Sequence, residues 1–74
     1  MKITLNLFAV LRIGRFTEKE LDVAFGSTVG DVVKGLALPP EHVDILLVNG
    51  RHVDKEYLLQ DGDLLSLLPM VEGG

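Results

Sequence analysis

The chain has 74 residues, 47% of them hydrophobic and 24% charged, with eleven acidic against seven basic side chains and a net charge of −4. This length supports one small core and no second domain, and the composition is that of a globular rather than a disordered chain. The lack of any cysteine excludes disulfide staples, thiolate metal sites and a thiol nucleophile, and an acid excess concentrated after residue 19 argues against nucleic acid and suits a basic protein partner.

No apolar run reaches membrane-spanning length, and the start Met1-Lys2-Ile3-Thr4 carries no signal-peptide pattern, so a cytoplasmic protein without a membrane partner is expected. His42 and His52 are the only histidines and have no ligand spacing around them; both are expected to be ordinary surface or loop residues, with no metal site.

Along the chain, Ile3, Leu5 and Leu7 alternate with Lys2, Thr4 and Asn6, the period of a strand with one buried face. Leu21, Val23 and Phe25 alternate with Glu20, Asp22 and Ala24 up to Gly26, which predicts a second strand. Residues 9–19 between them form a connection too long for a tight hairpin, which places Arg12, Ile13, Arg15 and Phe16 on a possible contact surface. Thr28 is a suitable N-cap with Asp31 three residues on, and Val29, Val32, Val33 and Leu36 then follow helical spacing. Gly30 and Gly35 weaken that helix by roughly 1 kcal/mol each relative to Ala, so packing must hold it, and Pro39-Pro40 prevents its continuation.

Residues 45–48 are apolar without alternation, the pattern of a strand covered on both faces or sharing a second contact. Asn49-Gly50 is a strong hairpin signal leading into a return strand over 51–54, and Tyr57-Leu58-Leu59 is expected to pack as a turn beneath the sheet. Asp61-Gly62 turns the chain into a last strand over 64–68, ended by Pro69. Successive strand side chains point to opposite faces, so Leu64, Leu65, Leu67 and Leu68 cannot all meet the helix. Two are expected to face away and form a partner-binding patch.

The order strand, strand, helix, strand, short strand, strand is that of an α+β β-grasp, the ubiquitin-like fold. It predicts a mixed sheet of five strands with one main helix, and first and last strands as a parallel central pair. Residues 1–69 would form this domain, with 70–74 a flexible tail ending in Gly73-Gly74. Without Cβ atoms, a Gly-Gly end is slim and free enough to enter another protein's active site, which makes the Gly74 carbonyl carbon the candidate reactive atom.

Three segments together resemble the MoaD/ThiS sulfur carriers, and more the MoaD branch. Leu7-Phe8-Ala9-Val10-Leu11-Arg12 is similar to that branch's stretch after the first strand. Leu47-Val48-Asn49-Gly50, followed by Leu59-Gln60-Asp61-Gly62-Asp63, is similar to its hairpin and turn. Pro69-Met70-Val71-Glu72-Gly73-Gly74 resembles its tail. The chain departs from the pattern at Met70, where a second proline is common, at Ile13, where an acid is common, and at Leu67-Leu68, often two aromatics.

The resemblance implies a carrier or co-substrate more than an enzyme, with no cofactor bound by the chain itself. A carboxylate is a poor electrophile and must be activated. By the resemblance, a ubiquitin-activating-type enzyme spends ATP to adenylate Gly74, and a sulfur donor then displaces AMP to leave a thiocarboxylate. In the MoaD branch the tail enters the larger, MoaE-like molybdopterin synthase subunit and delivers sulfur for the molybdenum or tungsten cofactor. Gly73 would then give slimness, Pro69, Met70, Val71 and Glu72 would guide the tail, and Phe8, Arg12, Leu67 and Leu68 would contact partners. Alternative readings are a sulfur carrier for thiamine, tRNA thiolation or a specialised metabolite, a lysine-conjugated protein modifier, and a β-grasp interaction domain with an inert tail.

Overall fold

A computed structural model of the protein describes residues 1–8, 17–37 and 43–69. Its elements are β1 (Lys2–Leu7), β2 (Glu18–Asp22), α1 (Val29–Gly35), β3 (Ile45–Val48), β4 (Arg51–His52) and β5 (Leu64–Leu68). The strands form one sheet in the order β2-β1-β5-β3-β4. β1 and β5 run parallel at its centre, with Leu5 beside Leu65 and Leu7 beside Leu67, while β2, β3 and β4 are antiparallel to their neighbours. This is the expected mixed five-stranded β-grasp.

Strand alternation places Ile3, Leu5 and Leu7 of β1, Leu46 and Val48 of β3, and Leu65 and Leu67 of β5 in the core with Val29, Val32 and Val33 of the helix. Val43 and Leu59 close the core, while Tyr57 packs at its margin. Leu58, from the same turn, points outward at 56% exposure. Residues 45–48 do alternate in burial, Leu46 and Val48 buried and Ile45 and Leu47 half-buried, so the outer face of β3 is covered only in part.

The helix starts as a full capping box. Asp31 N–H donates to Thr28 Oγ1 at 3.1 Å, and Thr28 N–H donates to Asp31 Oδ2 at 3.0 Å. The hydrogen bond from the Thr28 backbone, with help from the Thr28 side chain and Lys34, holds the Asp31 carboxyl below its usual value. A carboxyl whose folded pKa is lowered stabilises the fold above its unfolded pKa and loses that contribution as the pH falls through the folded value. Asp31→Ala is therefore expected to lower the midpoint of urea unfolding near neutral pH, with the gap from the parent protein closing in acid; a gap independent of pH would contradict this assignment. Gly30 has its own reason to lack a side chain: a Cβ there would lie 3.2 Å from the Lys55 carbonyl oxygen, which already accepts the Gly30 N–H at 2.9 Å.

Two strand boundaries differ from the sequence reading. The second strand covers Glu18–Asp22 instead of residues 20–25. Its ladder begins where Leu7 N–H meets the Thr17 carbonyl and closes where Met1 exchanges hydrogen bonds with Val23. Phe25 then enters a turn with Gly26 at φ +89° and is 82% exposed, so it is not part of a buried strand face. The return strand is Arg51–His52 instead of 51–54, because Asp54 is taken up in a turn: its carboxylate accepts Glu56 N–H and its carbonyl accepts Tyr57 N–H. The hairpin before it follows expectation, with Asn49 at φ 53° and Gly50 at φ 83°, both in the left-handed region a two-residue primed turn requires.

Candidate functional site

The face of the sheet turned away from the helix can be assembled from strand register. Lys2, Thr4 and Asn6 alternate with the core residues of β1, and Phe8 continues that alternation while its N–H reaches the Leu67 carbonyl at 3.2 Å. On β5 the outward positions are Leu64, Ser66 and Leu68, and on β3 they are Ile45 and Leu47. Pairing sets Ile45 beside Leu68, and Leu47 and Asn6 on either side of Ser66. The result is a contiguous apolar surface of Phe8, Leu68, Ile45, Leu47 and Leu64. Phe8 is 42% and Leu64 37% exposed, and the other three are half-buried.

Pro69 leaves β5 at the Phe8 and Ile45 end of this surface and is itself half-buried. Met70, Val71, Glu72, Gly73 and Gly74 lie outside the described residues, as does Arg12. Of the expected partner contacts, Phe8 and Leu68 are on the outer face. Leu67 is not: it faces the helix with 0% exposure and belongs to the core. The tandem leucines at 67 and 68 suggested a shared role, but strand alternation gives them opposite faces. Ile45 and Leu47 were missed as members of the patch; the signal that finds them is their register with Leu68 and Ser66.

Beside the apolar surface, the outward side chains of β2 are Glu18, Glu20 and Asp22, opposite Asn6, Thr4 and Lys2. Lys2 reaches Glu20 at 3.6 Å, both largely exposed, a pair that contributes little to stability. The surface is thus apolar along the central strands and acidic along one edge, which matches a partner with an apolar anchor and basic rim. Among the described residues, no group of three or more His, Cys, Asp or Glu side chains is arranged to hold a metal ion, and no helix is long and apolar enough to cross a membrane.

The turn that launches β5 is held by side chains. Asp63 is buried and accepts the Asn49 side-chain amide at 2.9 Å and the Gln60 N–H at 2.7 Å; Asn49 Oδ1 in turn accepts Leu64 N–H at 2.9 Å. The hairpin and the start of the last strand are thereby locked together.

Residues 3–73 match the family model described as Mut7-C ubiquitin. The chain belongs to the Mut7-C ubiquitin family. This family is of the MoaD/ThiS-like, ubiquitin-like kind. The Mut7-C ubiquitin chain is similar to SAMP1 of Haloferax volcanii, with 26% identity, a TM-score of 0.78 and full coverage of both chains. A putative molybdopterin converting factor subunit 1 of Pyrococcus furiosus also matches at 26% identity and a TM-score of 0.78, over 96% of this chain and 99% of that one. A third similar structure is a protein–protein complex of subunits 1 and 2 of molybdopterin-converting factor from Helicobacter pylori. It matches at 20% identity and a TM-score of 0.65 over the whole of both chains, a likeness of fold.

Proposed function

We propose that this Mut7-C ubiquitin protein is a sulfur carrier whose Gly74 carboxylate is adenylated and then converted to a thiocarboxylate. In the first step a carboxylate oxygen attacks the α-phosphorus of ATP and pyrophosphate leaves. In the second, sulfur delivered at the sulfide level, as hydrosulfide, attacks the Gly74 carbonyl carbon, the C–O bond to AMP breaks, and the S–H proton passes to solvent. The oxyanion that develops needs positioned donors, and these belong to the activating enzyme. The observation that carries the reading is the position of Pro69: the central strand delivers the tail from the edge of an exposed apolar surface, so a partner holding that surface also receives the tail.

The favoured recipient is a larger subunit that transfers the sulfur to a molybdopterin precursor. Support comes from the likeness to the Pyrococcus protein named as subunit 1 of a converting factor. A second reading, a protein modifier joined through Gly74 to target lysines, draws on the equal likeness to a protein named small archaeal modifier protein 1. Incubation with the activating enzyme, ATP and a sulfur donor, followed by denaturing electrophoresis and mass analysis, separates them. Free thiocarboxylate supports the carrier; isopeptide-linked conjugates without it support the modifier.

Docking on the outer face has its own test. Phe8→Asp is expected to weaken binding to the larger subunit or the activating enzyme by at least about tenfold in calorimetry, the effect of losing an aromatic anchor. The side chain is well exposed, so urea stability should change by no more than about 0.5 kcal/mol. Unchanged binding would remove Phe8 from the docking surface.

A further inference from the structure

On the helix side of the sheet, away from the face just described, a groove of about 340 Å³ runs between β2 and α1. Its apolar lining is Leu21, Val23 and Ala24 from the β2 side and Val32 and Leu36 from the helix, and Gly35 also lines it, with nothing within 4 Å of a would-be Cβ. β2 is also an edge of the sheet. Thr17 and Val23 turn their backbone groups toward β1, as the bonds Leu7 N–H to Thr17 and Val23 N–H to Met1 record. Antiparallel alternation then points the N–H and C=O groups of Glu18, Glu20 and Asp22 away from the sheet, and no described strand pairs with them.

We propose that the β2 edge accepts an extended segment of a partner protein as a sixth strand, one that alternates apolar and basic side chains. A strand added there places every second side chain on the helix side, where past Lys19 the groove offers Leu21, Val23, Val32 and Leu36. The intervening side chains fall on the opposite face beside Glu18, Glu20 and Asp22, and a cross-strand Lys or Arg is the complement of each. The same acids disfavour a second copy of this chain, because pairing two β2 edges sets carboxylates against carboxylates. This site borrows the acidic edge of the outer face but not its apolar residues or the tail, and does not rest on the sulfur-carrier reading.

The test uses the full chain and a synthetic acetylated, amidated peptide of alternating Lys and Val. Backbone amide exchange is followed by NMR. At a peptide concentration of about ten times its Kd, exchange at the Glu20 and Asp22 amides is expected to slow about tenfold. A peptide of alternating Glu and Val should leave it unchanged. Gly35→Gln, which adds a side chain to the groove lining without meeting a neighbouring atom at Cβ, should weaken binding severalfold, as should the double variant Glu20→Lys and Asp22→Lys. The proposal is overturned if the two amides stay unprotected at saturating peptide or if the Glu peptide protects them equally. It also fails if Gly35→Gln binds as well as the parent, or if protection rises with protein concentration without peptide, which would make the occupant a second copy.

Discussion

Asp63→Ala is expected to lower the stability of the fold by about 3 kcal/mol, read from urea unfolding followed by circular dichroism. The carboxylate is 5% exposed and accepts from Asn49 Nδ2 and Gln60 N–H. Its removal leaves those partly buried donors without their acceptor, and it frees the Asn49 amide that also receives Leu64 N–H. For a domain of this size total stability is on the order of 4–11 kcal/mol, so the loss is a large part of the whole. Asp63→Asn retains a carbonyl oxygen and should cost less than the alanine variant. Equal losses for both would mean that packing, and not the acceptor role, is what Asp63 supplies.

Deleting Gly74 is expected to abolish sulfur loading while leaving the unfolding curve close to that of the parent. The core is built from residues 3–67, and the side-chain hydrogen bonds that hold the start of β5 lie at Asn49, Gln60, Asp63 and Leu64. None of them involves Gly74. A two-part readout, intact mass for loading and thermal melting for the fold, separates a lost reactive group from a lost structure. Loading that persists on Gly73 would show that the activating enzyme tolerates a shorter tail and would contradict a specific role for Gly74.

Most of the architecture was legible because its signals are local. The period-2 run at Ile3, Leu5 and Leu7, the Thr28 cap with Asp31, and the Asn49-Gly50 turn each encode their own geometry, and all three appear as read. The errors came where non-local contacts decide. Leu21, Val23 and Phe25 continue an alternating pattern, but the strand ends at Asp22 and the chain turns at Phe25-Gly26, with Gly26 at positive φ, which leaves Phe25 exposed. The apolar outer face was partly legible: two leucines of the last strand, Leu64 and Leu68, do turn outward. Which two depends on strand register, which made Leu67 core and brought Ile45 and Leu47 into the patch. Asp63 was seen only as part of a turn motif, since its bond to Asn49 spans fourteen residues and has no local signature.

The most direct measurement is intact mass with fragmentation of the C-terminal peptide, after the full chain is incubated with its activating enzyme, ATP and a sulfur donor. The account predicts exchange of one oxygen for sulfur, localised to Gly74 and dependent on ATP. An unchanged Gly74 carboxylate, under conditions in which an authentic MoaD/ThiS protein is loaded by its own activating enzyme, would contradict it.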